Sequence, residues 1–352
     1  MKKVKVLVVE DSALMRRIIG DIIRDHNELD LLTTARDGLD AINKIKSYKP
    51  DVVTMDLEMP RLGGLETLKR IMTETPLPVI MISSHTSVGS ESTLKALDAG
   101  AVDFIAKPDL GSSTESVDEL KNVLPQKIIA ASTAKVNLVA TPKITAPQKT
   151  DDLSASVLHS YKTARAILAI GASTGGPKAL EEFFKVLPAD FPAAILLSQH
   201  MPPGFTLSFS QRLNMISPLQ VKEAKDGDPL LAGQVLVAPG GFHMVVRKGL
   251  VHLDSGPKVN YVRPSIDVML ESLAACEQRL MVVIMTGMGK DGAEGARILK
   301  EKKPGTIFMA QAPSTSLIPS MPDALIKNIA NVIEVPLSRL AAEVDRSIRV
   351  IA

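Results

Sequence analysis

Two sets of residues in this chain have types and spacings that do chemistry. The first begins at Gly171-Ala172-Ser173-Thr174-Gly175-Gly176-Pro177, which contains G-x-S-x-G, the pattern of a sharp strand-to-helix turn that lifts a serine hydroxyl above a parallel sheet. Glycines admit the tight backbone, and Pro177 fits the first turn of the helix that follows. Backbone amides at such a helix start can stabilise an oxyanion. His200 and Asp291 add a general base and a carboxylate to orient it, so that Ser173, His200 and Asp291 make the set acyl transfer requires. A phosphate or dinucleotide cradle is the rival reading of the glycine-rich turn. Its spacing is not G-x-G-x-x-G, and Gln199-His200 rather than an acid ends the next strand, where a ribose would be held.

The second set is acidic. Glu10 and Asp11 follow the first apolar run, Asp56 follows the run Val52–Met55, Ser83 ends Val79–Ile82 and Lys107 follows Phe104-Ile105-Ala106. Carboxylates gathered this closely raise one another's pKa unless a cation intervenes, and a hard, oxygen-seeking Mg²⁺ is the natural counter-charge. In that setting Asp56 is a nucleophile toward a phosphoryl group, and Lys107 a compact cation to pair with the incoming phosphate. Taken singly, an acid after a strand is as readily a cap on the next helix. The five positions together weaken that alternative.

These residues need elements to place them. Val4–Val9, Val52–Met55, Val79–Ile82 and Val102–Ile105 read as buried strands, and Leu14–Arg24 and Gly38–Tyr48 between them carry apolar residues at helical spacing. Strands alternating with helices imply a parallel sheet, and near-continuous apolar strands imply that both its faces are covered. A helix is expected at Glu115–Ala131, followed by a Thr/Ala/Lys/Pro linker over 133–163. Alternation resumes with strands at Ala166–Ile170, Ala194–Ser198, Gln234–Ala238, Met281–Met285 and Thr306–Ala310. Helices are read at Pro177–Leu187, Pro264–Cys276, Asp291–Lys300 and Pro322–Ile329. Met244–Arg247 and Val251–Asp254 around Lys248-Gly249 read as an antiparallel hairpin at the sheet edge. Ser173, His200 and Asp291 then all emerge beyond strand ends, where ligands collect in open α/β sheets. Their chain order, Ser…His…Asp, differs from the Ser…Asp…His order of α/β-hydrolases, but geometry rather than order defines a triad.

Composition sets the outer limits. The chain has 352 residues, more than a usual single domain, with 45% hydrophobic and 23% charged residues, so two folded cores are expected. Lys plus Arg number 41 against 39 Asp plus Glu, a net charge of +2 with no basic run, which removes the electrostatic argument for nucleic-acid binding. Cys276 is the single cysteine; it excludes a disulfide framework, fits a reducing cytoplasm and reads as a buried, inert thiol. The first apolar run stops at Glu10-Asp11 and no segment reaches 18 apolar residues, so neither export nor membrane insertion is expected. His243 reads as a lining or turn-capping residue, while His26, His85, His159 and His252 read as solvated. Met201 and Met288 adjoin proposed site residues; the other methionines read as core.

From Met1 to about Thr133 the chain resembles the response-regulator receiver domains. Glu10-Asp11, the stretch Asp56-Leu57-Glu58-Met59-Pro60 with Gly63-Gly64, Ser83, and Phe104 through Pro108 carry the likeness. It implies a flavodoxin-like (βα)5 domain with Asp56 as phosphoacceptor, and Glu10, Asp11, Asp56 and the Glu58 carbonyl holding Mg²⁺. Ser83 and Phe104 fall at the switch positions, and Lys107 at the phosphate-sensing lysine. From about Ala164 to Val350 it resembles the catalytic domain of the CheB protein-glutamate methylesterases, in Gly171–Pro177, Gln199–Pro203, Phe205-Thr206, Ala238–Met244, Arg263-Pro264-Ser265 and Thr286–Gly292. Ser320-Met321-Pro322 departs from the family's usual Gly-Met-Pro.

The resemblance implies a receiver over 1–132, a linker over 133–163 and a mostly parallel, doubly wound catalytic domain over 164–352. It assigns Ser173 as nucleophile, His200 as base, Asp291 as orienter, and Thr174 and Met288 to the oxyanion hole. It further implies a cytoplasmic, phosphorylation-activated hydrolase of γ-glutamyl methyl esters, and of certain glutamines, on methyl-accepting chemotaxis proteins. The histidine kinase CheA is the phosphodonor, Mg²⁺ serves the receiver, and ester hydrolysis needs no cofactor. A binding module without turnover and a transcriptional regulator are the other classes weighed. The intact Ser173, His200 and Asp291 argue against the first, and the absent basic patch with an α/β second domain against the other.

Overall fold

The computed structural model describes residues 2–84, 87–108, 115–134 and 163–352. The chain divides into two compact units, Met1–Ala140 and Thr141–Ala352. Most of the expected linker, together with His85 and His159, lies outside the described residues.

The first unit runs β1 (Val4–Val9), α1 (Ala13–Arg24), β2 (Leu29–Ala35), α2 (Gly38–Tyr48), β3 (Val52–Asp56), α3 (Gly64–Glu74), β4 (Val79–Ser83), α4 (Ser87–Asp98), β5 (Asp103–Ala106) and α5 (Glu115–Ser132). Its five strands are all parallel in the order β2-β1-β3-β4-β5. That is the flavodoxin-like order, whose switch point lies between β1 and β3. β3 and β4 are buried along their whole length, and β1 from Val6 to Val9. β2, which no apolar run announces, is the edge strand: its middle residues are half-exposed, so polar residues dilute the pattern. Ser12 caps α1 by accepting the Met15 N–H, and Asp37 caps α2 through Leu39 and Asp40.

The second unit runs β6 (Ala166–Ala172), α6 (Gly176–Lys185), β7 (Ala194–Gln199), α7 (Phe205–Ile216), β8 (Gln220–Glu223), β9 (Gln234–Val237), β10 (His243–Arg247), β11 (Leu250–Asp254), α8 (Ile266–Ser272), β12 (Arg279–Ile284), α9 (Ala293–Lys302), β13 (Ile307–Gln311), α10 (Ser320–Asn328), β14 (Ile333–Val335) and α11 (Leu337–Ile351). Seven strands form one sheet in the order β14-β13-β12-β6-β7-β9-β8, and every pairing in it is parallel. The antiparallel hairpin expected at the edge of this sheet is instead a separate two-stranded ribbon, β10-β11. Its turn is formed as the sequence suggests: Lys248 and Gly249 both have positive φ, which twists with the strands. The ribbon packs through Met244, Val246 and Val251 into the core that α8 and α9 share with one face of the sheet, among Ile266, Met269 and Leu299. Burial of these side chains is the gain that holds the ribbon on this core.

α6, α7 and α11 form a second packed group, α11 lying on α6 and β6. Phe183 and Phe184 of α6 meet edge to face at 5.3 Å. The helix expected over Pro264–Cys276 begins two residues later, because Ser265 is its cap and accepts the Val268 N–H.

Candidate active site and acidic site

β6 is the first strand of its sheet, with β7 on one side and β12 on the other, so the connections leave it in opposite directions. This is a topological switch point, and the turn after β6 opens on it. The register carries the neighbouring strand ends to the same level: Gly171 pairs with Ile284, and Ala172 with Gln199. Beyond the last pairs, the Ser173 N–H donates to the Thr286 carbonyl at 3.0 Å and the His200 N–H to the Ala172 carbonyl at 3.1 Å. Serine, histidine and acid are thus delivered by three adjacent strands.

His200 Nδ1 lies 3.1 Å from Ser173 Oγ, and His200 Nε2 lies 2.8 Å from Asp291 Oδ2. Ser173 is 8% exposed and Asp291 4%, so the array is withdrawn from bulk water but reachable at the serine. Asp291 is held from four sides. Besides His200, its oxygens accept from Ser265 Oγ at 2.9 Å, the Ile266 N–H at 2.7 Å and the Asp267 N–H at 3.1 Å. The last two are free amides at the start of α8. Burial opposes the charge on Asp291, but the His200 bond and these amides outweigh it and hold the carboxyl well below the usual carboxylate range.

The serine turn is held as firmly. Gln199 Nε2 donates to the Ser173 carbonyl at 3.0 Å, and Thr286 Oγ1 donates to the Thr174 carbonyl at 3.0 Å. Gly287 runs so close over the serine that a Cβ there would lie 2.9 Å from Ser173 Cβ and 2.2 Å from Met321 Sδ. Only glycine lets that loop run this close to the serine, one residue ahead of Met288. The Met288 N–H donates to no acceptor among the described residues.

In the first unit, one oxygen each from Glu10, Asp11 and Asp56 lie within 4.8 Å of one another. Lys107 Nζ donates to Asp56 Oδ2 at 2.7 Å and to Glu10 Oε1 at 3.1 Å. Glu10 Oε2 is buried with no partner among the described residues, and burial together with the Asp56 charge pushes the Glu10 carboxyl up to about 7. An acceptor left unpaired between two further carboxylates is the donor set a hard divalent cation completes, so these residues fit Mg²⁺. The Glu58 N–H donates to Asp56 Oδ1 at 3.2 Å, which folds the 56–58 turn around the aspartate. Ser83 is buried, its Oγ 3.4 Å from the Ser84 carbonyl. Phe104 is also buried, with Lys127 Nζ 5.9 Å from its ring and 2.9 Å from its carbonyl.

The CheB methylesterase family model matches residues 168–344 and the response regulator receiver domain model residues 6–117. The chain belongs to the CheB methylesterase family. A protein-glutamate methylesterase/protein-glutamine glutaminase of Symbiobacterium thermophilum is 43% identical over 356 residues, 99% of this chain and 98% of that one. The enzyme of the same name from Geobacillus kaustophilus is 43% identical over 350 residues, 98% of each. Among solved structures, the Thermotoga maritima CheB methylesterase catalytic domain is matched over its whole length by 53% of this chain, at 38% identity and a TM-score of 0.49.

Within this CheB-family chain the geometry brings Ser173, His200 and Asp291 into one array and Glu10, Asp11, Asp56 and Lys107 into another. The departure at Ser320 falls on an exposed residue at the start of α10, while Met321 beside it is buried and its N–H donates to the Gly287 carbonyl at 3.1 Å. Of the two readings of His243, lining and turn-capping, the contacts are those of a buried residue holding turns. It is 2% exposed, its Nδ1 accepts from the Ser265 N–H at 3.1 Å, and its Nε2 donates to the Pro257 carbonyl at 2.9 Å. Ser265, Asp267 and Gln199 were not singled out by type or spacing. Ser265 had one usable signal, a serine directly before an apolar helical pattern, which marks a cap. Cys276 is half-buried rather than buried, and desolvation pushes its thiol upward, away from reactivity.

Proposed function

We propose that the chain is a phosphorylation-activated serine hydrolase that removes methyl groups from γ-glutamyl methyl esters, and amide nitrogen from particular glutamines, on methyl-accepting chemotaxis proteins in the cytoplasm. The observation that carries this reading is the unbroken path from Ser173 Oγ through both nitrogens of His200 to Asp291, at 3.1 and 2.8 Å.

In the first step Ser173 Oγ attacks the side-chain carbonyl carbon while His200 Nδ1 takes its proton. Asp291 keeps the other proton on Nε2 and stabilises the imidazolium that forms. The Met288 N–H, which donates to no acceptor among the described residues, is suited to receive the oxyanion, and the Thr174 N–H at the start of the turn is the second donor of this reading. As the tetrahedral species collapses, His200 gives its proton to the departing methoxy oxygen or amide nitrogen, which leaves as methanol or ammonia and gives a Ser173 γ-glutamyl ester. Water then attacks that ester with His200 again as base, and glutamate and free serine are restored.

Control resides in the receiver. The histidine kinase CheA is the phosphodonor and Asp56 the acceptor, with Lys107 placed to pair with the phosphoryl oxygens. Glu10, Asp11, Asp56 and the Glu58 carbonyl would hold Mg²⁺, which when bound supplies charge neutralisation at the transferring phosphoryl group. Ser83 and Phe104 are the residues that respond to the phosphate. The test of the hydrolase is methanol release from methylated chemoreceptor, comparing the natural chain with Ser173→Ala. Loss of release in the variant is expected; equal release would remove the serine mechanism.

A further inference from the structure

Asp291 is not the only buried carboxylate at this site. Asp267, in the first turn of α8, is 5% exposed. Its Oδ1 accepts from the Gly292 N–H at 2.8 Å and the Gly295 N–H at 2.7 Å, and its Oδ2 from Asn260 Nδ2 at 3.3 Å. Gly292 and Gly295 are the cap and a first-turn residue of α9. The arrangement is therefore reciprocal. Asp291, just ahead of α9, takes the free amides at the start of α8, while Asp267 of α8 takes those at the start of α9. Each helix start thus gives two amides to an acid carried by the other's segment. Gly295 makes this possible, since a Cβ there would lie 2.6 Å from the Asp267 carbonyl oxygen.

We infer that Asp267 is a positioning residue for the triad, fixing the turn that carries Asp291 and adding a second negative charge behind the Asp291–His200 pair. The inference rests on the triad reading above. Gly292, which Asp267 holds, is the residue directly after Asp291, so the grip acts one peptide from the orienting carboxylate. With its oxygens shared among His200, Ser265, Ile266 and Asp267, Asp291 has no freedom to turn once its peptide is fixed. Two buried carboxylates in contact would ordinarily repel each other to the point of displacement. Here the free amides of both helices offset that repulsion. The remaining cost falls on Asp267, whose carboxyl is pushed up to about 6 by burial and the Asp291 charge.

The titratable groups that face this pair are His200 at the end of β7 and His243 from β10. Both ring nitrogens of His243 are engaged, Nδ1 by the Ser265 N–H and Nε2 by the Pro257 carbonyl. Lys258, Glu271, Lys290 and Glu294 on the adjoining segments are exposed. The buried carboxylates behind the triad are thus Asp291 and Asp267.

The experiment measures kcat and KM for methanol release from methylated chemoreceptor against pH. It uses the full chain and its Asp267→Ala, Asp267→Asn and Ser173→Ala variants, with folding checked by circular dichroism. Asp267→Ala is expected to lower kcat by at least about tenfold, with KM changed less than about twofold. Asp267→Asn keeps an oxygen for Gly292 and Gly295 and is expected to recover most of that loss. Lacking the charge, it should move the acidic limb of the kcat profile down by about half a pH unit, because His200 then gives up its proton more readily. If Asp267→Ala does not fold, the limb of Asp267→Asn decides alone. An unshifted limb in a folded Asp267→Asn, with Ser173→Ala inactive, overturns the positioning role and leaves the triad standing. A Ser173→Ala variant as active as the natural chain removes the triad and this inference with it.

Discussion

His200 offers Nδ1 to the serine and Nε2 to the acid, whereas in the trypsin-like proteases the ring is used the other way round. The chemistry is unchanged, since either nitrogen of a neutral imidazole can accept while the other donates. The tautomer is what differs: Asp291 requires the proton on Nε2. His243 carries its proton on the same atom, because its Nδ1 accepts from the Ser265 N–H. NMR of histidine-labelled protein should accordingly show both rings as Nε2–H tautomers, and Asp291→Asn should disturb only His200. The same substitution should lower kcat by roughly 10⁴, since the amide favours the wrong tautomer, whereas Lys290→Ala, an exposed neighbour, should change it little. Equal losses would place the orienter elsewhere. Ser173, His200 and Asp291 could be read from the sequence because each follows a strand whose apolar run is unmistakable. The contacts that tie Ser265 to Asp291 and to His243, and those of Asp267, could not. They arise from where two helix starts and a ribbon meet, and nothing in residue order encodes that meeting.

At the scale of elements, α8 and α9 begin side by side, and the closeness of that approach can be tested through Gly295. A glycine inside a helix ordinarily costs about 1 kcal/mol relative to alanine, so Gly295→Ala should stabilise α9 on propensity alone. The added methyl would meet the backbone of Asp267 at 2.6 to 2.7 Å, and overpacking against backbone costs about 1–3 kcal/mol. Contact wins, and the melting temperature of Gly295→Ala should fall in thermal unfolding of the full chain; a rise would mean the helices separate freely. Long amphipathic stretches such as α1 and α2 were legible from spacing because one face of each is buried against a sheet. β2 was not legible, since an edge strand with half-exposed residues loses its pattern. The β10-β11 hairpin was read correctly as a hairpin and wrongly as a sheet edge. Turn chemistry fixes local pairing, while the partner of a finished ribbon is settled by which core has room for its apolar side.

Across the whole molecule, one unit holds the acids suited to phosphoryl transfer and the other holds the complete set suited to acyl transfer. Each is a parallel sheet with its chemistry at a switch point, between β1 and β3 in the first and around β6 in the second. In the proposed function, a phosphoryl group on Asp56 then acts by biasing a population and not by delivering a missing catalytic group. With Mg²⁺ and a small phosphodonor the methanol-release rate should rise, and in Asp56→Asn the ratio of rates with and without donor should fall to one. A donor response in Asp56→Asn equal to that of the natural chain would refute phosphoacceptance at that residue.

The three adjacent strands at the second switch point carry one more consequence. In space the residues run Asp291, Ser173, His200 along β12, β6 and β7, while along the chain they run Ser173, His200, Asp291. The order in sequence belongs to the connections and not to the site. A circular permutant reopened in the segment ahead of β12 would read aspartate, serine, histidine with every strand pairing kept, so two proteins can share this arrangement of atoms while their sequences align in only one of its halves.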